Sequence, residues 1–277
     1  MADGALPGVL YHYQPGRIDW LCRMFVQSEI RLSDPSKLND PWDCKPIFDD
    51  HSEYTDEQRR AIVIDLWDRG EVRFSNDNDM KDTLLVNCSD SEFSKLLSNL
   101  ERSASSEMQR NFVIYCLSDR ADAGLLWSHY ADRHRGICLG FSFGTPIIDQ
   151  AIRVRYVKSL IKIQIGMDIK DIGRAAYLTK SSAWKYEREW RALIRRNPSG
   201  DSHQTCPEDP LSCFASAEGY CGIDLKGLVS ITFGLNSTPW ERQAIQQLAR
   251  THGWTGYFQE AIKSRNDYKL TIRDLPA

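Results

Sequence analysis

The stretch Trp184-Lys185-Tyr186-Glu187-Arg188-Glu189-Trp190-Arg191-Ala192-Leu193-Ile194 constrains the fold more than any other. It crowds three aromatic, two acidic and three basic side chains ahead of an apolar end. From Trp190 to Ile194 polar and apolar residues alternate loosely with fair β-propensity, which predicts a strand. If that strand begins at Glu187, then Glu187, Glu189 and Arg191 project to one face. Two carboxylates so placed repel each other unless a cation sits nearby, and Arg191 can supply one. The residues then read in two ways. One is an Arg–Glu ion pair at a sheet surface. The other is a paired-carboxylate site, in which one glutamate orients a hydroxyl or an electrophile and the other activates a nucleophile.

Around this stretch the chain alternates short β-patterned runs with amphipathic ones. Residues 9–13 read as a strand stopped by Pro15 and Gly16, and a helix starting at Asp19 follows with Trp20, Leu21, Met24 and Phe25 at helical spacing. Residues 28–33 read as a strand. Residues 34–43 form a polar loop stiffened by Pro35 and Pro41, suited either to a well-built turn or to substrate contact through Asn39 and Asp40. From 51 to 110 the pattern is polar and helical, with a helix capped by Asp56 and running to Trp67, and another over 92–100. Strands are expected at 112–117, 137–143, 152–158, 228–234, 254–259 and 268–273. Helices are expected at 123–134, closed by Gly136, at 161–177, and from a Thr238 cap with Pro239 and Glu241 to 251. Residues 197–221 read as a Cys-containing surface loop. The sum is one α+β domain over 1–277, with a mixed or mainly antiparallel sheet, flanking helices and a mostly helical insertion at 51–110.

A chain of 277 residues can bury a sizeable core, and 42% hydrophobic with 26% charged residues suits a globular protein. The net charge of −3 supplies no global basic field for nucleic acid or anionic membrane, although it leaves a local patch open. No apolar run has the ~20 residues that span a bilayer, and the first residues lack the basic start and apolar core of a signal peptide. The eight cysteines form no C-x-x-C pair and mostly sit in apolar surroundings, which points to reduced thiols and a cytoplasmic protein. Cys206, Cys213 and Cys221 lie near His203 at spacings too wide for a zinc knuckle, so no metal is expected there.

The Gly-rich nucleotide loops, the H-E-x-x-H helix and the G-x-S-x-G elbow are all absent. His129, beside Trp127 and Tyr130, reads either as a base or as a semi-buried helix histidine. Asp40, Asp43, Glu187 and Glu189 could hold magnesium as a nuclease does, but the strand lacks the lysine of the common nuclease pattern.

Six motifs carry a resemblance over nearly the whole chain. They are Leu10-Tyr11-His12-Tyr13, Leu38-Asn39-Asp40-Pro41-Trp42-Asp43, Cys116-Leu117-Ser118, Leu126-Trp127-Ser128-His129-Tyr130-Ala131-Asp132, His134-Arg135-Gly136-Ile137-Cys138-Leu139-Gly140-Phe141 and Trp184-x-Tyr186-Glu187-x-Glu189-Trp190-Arg191. In this order they resemble the uncharacterised bacterial family DUF2971, often encoded near phage-defence genes. Members usually carry lysine where this chain has His12, and the loop at 200–221 is longer than usual. A remoter similarity is to ADP-ribosyltransferase-like folds, which start with a strand His or Arg on the NAD ribose and end their catalytic set with a strand Glu-x-Glu.

That similarity implies NAD as substrate, Glu189 as the catalytic carboxylate, Glu187 as activator of the acceptor, and His12 holding the dinucleotide. Tyr11, Tyr13, Trp127 or Tyr130 would stack on nicotinamide, with Asn39, Asp40, Ser118, His129 and Arg191 completing the nucleotide site. The serine motif of the arginine-modifying members is not identifiable, which leaves the acceptor open. The expected function is an NAD-cleaving or ADP-ribosylating effector of toxin or defence type, acting on a nucleotide and an unidentified acceptor. The alternatives are a metal-dependent nuclease, or a non-catalytic sensor binding a ligand near His129 and Arg191.

Overall fold

The structure, a computed structural model, describes residues 8–45, 47–49, 54–70, 88–164, 169–197 and 214–276. The first strands are β1 (Val9–Gln14), β2 (Glu29–Arg31), β3 (Ile47–Phe48), β4 (Phe112–Ser118) and β5 (Ile137–Ser142). Next come β6 (Ile152–Arg153), β7 (Arg155–Val157), β8 (Lys162–Ile163), β9 (Thr179–Ser181) and β10 (Glu189–Arg196). Then follow β11 (Phe214–Ala215), β12 (Tyr220–Gly222), β13 (Leu228–Phe233), β14 (Tyr257–Lys263) and β15 (Leu270–Asp274). The helices are α1 (Ile18–Gln27), α2 (Asp56–Asp68), α3 (Asp90–Asn111), α4 (Gly124–Tyr130), the single turn α5 (Pro146–Asp149), α6 (Ile169–Tyr177) and α7 (Pro239–Thr251). Among the described residues no helix is long and apolar enough to cross a membrane.

The chain divides into two compact units. The first (Met1–Pro41, Gln109–Tyr156 and Ser182–Ala277) holds an open sheet in the order β15-β14-β13-β5-β1-β4-β10-β11-β12-β2, with β6 on the flank of β10. Most neighbours run antiparallel; β10–β11 and β13–β14 are parallel. The fold is therefore α+β with a mixed, mostly antiparallel sheet. Strand alternation gives it two chemically different faces. One face carries Leu10, Tyr115, Leu117, Leu139, Phe141, Trp190, Ala192, Ile231 and Phe233, and it is covered by Leu21, Met24 and Phe25 of α1 and Ile245 and Ala249 of α7. Each of these large side chains contributes about 1.5–3 kcal/mol by leaving water. The opposite face mixes apolar with buried polar side chains. There α4 lays Leu126 and Trp127 against Tyr13, Cys138 and Ala261, and polar residues fill the rest.

The second unit (Trp42–Met108 and Val157–Ser181) pairs β3 with β8 in parallel and packs Val63 of α2 against Phe93 and Leu97 of α3. It is built from two stretches of chain, of which the expected insertion at 51–110 supplies one. Residues 71–87, within the expected insertion, are outside the described residues.

Several expected elements differ in extent. Thr55, not Asp56, caps α2: its hydroxyl accepts from Gln58 N–H while the Gln58 side chain accepts from Thr55 N–H. The helix expected at 161–177 is instead β8 followed by α6, because Lys162 and the β-branched Ile163 take up extended pairing with β3. The helix expected to reach His134 stops at Tyr130. Asp132, Arg133 and His134 follow with φ of 44°, 53° and 69°, a left-handed run that is unusual without glycine. Tertiary bonds hold it: His134 N–H donates to Trp127 O at 3.1 Å, Gly136 N–H to Ala131 O at 2.8 Å and Asn236 N–H to His134 O at 2.9 Å. A Cβ on Gly136 would collide with the carbonyl oxygen of Gln14.

Candidate functional site

The site grows from one row of the sheet. Tyr11 on β1 stands opposite Ser118 on β4, and Ser118 stands opposite Glu189, the first residue of β10. Directly paired residues project to the same face, so the three side chains form a line about 10 Å long at ordinary strand spacing. On the other side of β1 the row continues through Gly140 to Ser230. Gly140 is required there. A Cβ at that position would lie 3.2 Å from the Tyr11 ring and collide with the Ser230 hydroxyl. The Tyr11 phenol is held above its usual range, first by desolvation and then by Cys138 and Asp122, so it stays protonated and able to donate.

Glu189 is buried and fixed from all sides. Arg191, two residues along the same face and fully buried, donates from Nε to Oε1 at 2.8 Å and from a terminal nitrogen to Oε2 at 3.1 Å. This two-pronged geometry fixes the plane of the carboxylate as well as balancing its charge. The backbone N–H of Glu189 donates to the Tyr156 hydroxyl at 2.8 Å, and its carbonyl accepts from Val154 N–H.

Glu187 does not share the strand. It ends a 3₁₀ turn (Ser182–Glu187), and Arg188 has φ of 49°, so the chain pivots before β10 begins. The same-face expectation for a continuous strand is thereby corrected. Glu187 is nevertheless brought to the site by other means. Ser118 Oγ donates to its carbonyl at 2.7 Å, and the Tyr130 hydroxyl donates to its Oε1 at 2.6 Å. Asn39 reaches the same hydroxyl at 3.3 Å, and Arg188 is held outward on Asp119. The 3₁₀ turn also presents Trp184 and Tyr186, whose rings are 6.0 Å apart. His129, exposed at the end of α4, lies 6.3 Å from Trp184 and 6.0 Å from Tyr130.

The structure thus gathers Tyr11, Asn39, Ser118, His129, Tyr130, Glu187, Glu189 and Arg191 in one unit. His12 is not among them. It alternates to the other face, stacks on Tyr115 at 4.2 Å and donates from Nδ1 to Cys116 O at 2.8 Å. Loss of hydration lowers its pKa to about 4, so it is a neutral packing residue at ordinary pH. Tyr13 and Trp127 lie on the site's face but beneath it. Trp127 is fully buried with its Nε1 on Ala121 O, and Tyr13 donates to Arg120 O, which removes both from ring stacking. Asp40 is buried in the first unit, whereas Asp43 belongs to the second, where Lys180 faces it at 3.5 Å. Among the described residues no group of three His, Cys, Asp or Glu side chains is placed to hold a metal ion. Cys206, Cys213 and His203 lie outside the described residues. Sequence reading passed over Trp184 and Tyr186 as site residues, although their place in the Trp-x-Tyr-Glu motif was a usable signal.

The fold and site define an α+β protein with a polar row across the centre of its sheet. Residues 126–192, from α4 to the start of β10, match the model of a protein family of unknown function, DUF2971. That is the family the sequence motifs resemble. No curated protein and no solved structure matches the chain.

Proposed function

We propose that the polar row is the active site of an enzyme that breaks the nicotinamide–ribose bond of NAD and passes ADP-ribose to an acceptor or to water. The observation that carries this reading is the alignment of Tyr11, Ser118 and Glu189 on three adjacent strands, with Arg191 locking the Glu189 carboxylate in one plane. A fixed carboxylate can accept from a ribose hydroxyl and stabilise the oxocarbenium-like charge that develops as the bond lengthens. The C–N bond breaks with its electron pair leaving on nicotinamide, which becomes neutral. The acceptor then bonds to the anomeric carbon, and Glu187 takes the acceptor's proton. Such an enzyme depletes NAD or modifies a target, which is the chemistry of a toxin or defence effector, and it would act in the cytoplasm where NAD is found.

One observation favours a second reading. Both carboxylates already have protein partners, Tyr130 for Glu187 and Arg191 for Glu189, as expected of a binding module whose polar groups are structural. Nicotinamide release from NAD separates the two. Purified protein with cell lysate as acceptor source should release nicotinamide, unaffected by EDTA. Glu189→Gln should lower the rate about 10²–10³-fold while keeping the circular dichroism of the wild type. Absence of release in every sample would overturn the enzymatic reading in favour of the binding module. Release abolished by EDTA would instead turn it toward metal-dependent chemistry.

A further inference from the structure

We propose that a cavity at one end of the sheet binds a small organic carboxylate with a compact apolar body. The cavity, about 140 Å³, lies on the face covered by α1 and α7, opposite the polar row, and the proposal is independent of the NAD reading. Its floor is apolar: Ile137 of β5, Phe233 of β13 and Ile245 of α7, all buried. A space of that size holds about six carbon atoms, the size of a benzene ring, and an apolar lining favours such a group over water. Gly16, in the turn between β1 and α1, keeps the space open. A Cβ there would enter it at 3.8 Å from the Ile245 side chain and 4.0 Å from that of Ile137, which are ordinary contact distances.

The rim decides the charge of the ligand. Arg17, Asp132, Arg135 and Glu241 form it. The acids are committed. Asp132 faces Arg135, and Glu241 closes the α7 cap by accepting from the Thr238 N–H and hydroxyl, both at 2.8 Å, through Oε2. The arginines have donors to spare. Arg17 places Nε and Nη2 on Asp19, and Arg135 places Nε and Nη2 on Asp132, so each keeps Nη1 for another acceptor. The Arg135 contacts, at 3.3 and 3.5 Å, are also longer than charge-assisted bonds usually are, so that guanidinium can turn to a better partner. Asp132 opens the left-handed run after α4 and Arg135 follows it. Backbone of that kind recurs at ligand clamps. The cavity thus employs two motif residues that the polar row leaves aside.

The test titrates the full chain with benzoate, and with benzylamine as a probe of similar size and opposite charge, followed by ligand-observed NMR. Wild type should bind benzoate about tenfold more tightly than benzylamine. Gly16→Ala puts a methyl group in the space and should cut benzoate binding about tenfold, with the urea midpoint of the wild type. Arg135→Gln, at an exposed position that leaves folding intact, should weaken it about three- to tenfold. Glu241→Gln keeps the α7 cap and should bind benzoate at least as tightly as wild type. Benzylamine bound in preference, and lost in Glu241→Gln, would make the cavity a cation site and overturn the carboxylate. Equal benzoate binding by wild type, Gly16→Ala and Arg135→Gln would place the probe elsewhere and overturn the site, as would failure of both probes to bind at millimolar concentration.

Discussion

At the scale of single residues, the site depends on two groups that a sequence cannot show to be in tension. Arg191 is fully buried and paired with the Glu189 carboxylate. Removing one member of such a pair strands the other. Arg191→Met should cost about 3–5 kcal/mol in urea denaturation, and adding Glu189→Gln should recover most of it. A double variant as unstable as the single one would show that the loss comes from packing rather than stranded charge. Arg188 is the other tension. Its φ of 49° costs an L-residue about 1–2 kcal/mol, and the pivot separates Glu187 from the strand. Arg188→Gly should match wild-type stability within about 1 kcal/mol, and Arg188→Val, β-branched and poorly suited to that region, should be clearly less stable. The Trp-x-Tyr-Glu-x-Glu pattern was legible as a dense cluster of aromatic and charged residues. The pivot inside it was not, because Arg188 carries no signal for a left-handed backbone.

Among the elements, α7 behaves as its sequence dictates and α4 does not. Thr238 accepts from Glu241 N–H at 3.2 Å, Glu241 reaches back to Thr238 N–H at 2.8 Å, and Pro239 occupies the first turn. Thr238→Ala should therefore lower stability by about 1 kcal/mol without touching the site. α4 ends four residues earlier than its pattern suggests, because the left-handed run at Asp132, Arg133 and His134 is fixed by a bond back to Trp127 and by bonds from Asn236 in the turn after β13. Gly136 is the joint. Gly136→Ala would drive a methyl group into the Gln14 carbonyl and should cost about 1–3 kcal/mol, read as a lower urea midpoint. Because α4 carries Tyr130, which donates to Glu187, that variant should also slow nicotinamide release from NAD; an unchanged rate would mean α4 keeps its place without this joint.

For the whole molecule, pH exposes the cost of the covered face. His12 has a pKa near 4 in the folded state against 6.5 in the unfolded chain. The unfolded chain thus binds the proton more readily between these values. The contribution of the neutral histidine is complete above pH 6.5 and is lost as pH falls towards 4, to a limit of about 3 kcal/mol. Stability measured from pH 7 to 4 should fall less steeply in His12→Asn, which keeps a donor for Cys116 O. Parallel wild-type and variant curves would show that His12 does not set the acid limb.

The sequence by itself determined the α+β class, the apolar face of each long strand, the capped α7 and the cluster of motif residues around Glu187 and Glu189. These follow from local periodicity and capping, which are properties of neighbouring residues. Tertiary structure decided the rest: that His12 faces the core, that Trp127 and Tyr13 lie too deep to touch a ligand, and that Tyr11, Ser118 and Glu189, far apart in the chain, form one row. Strand register sets those relations, and a shift of one residue exchanges the two faces of a strand. That choice belongs to the pairing of β1, β4 and β10, not to any one of them.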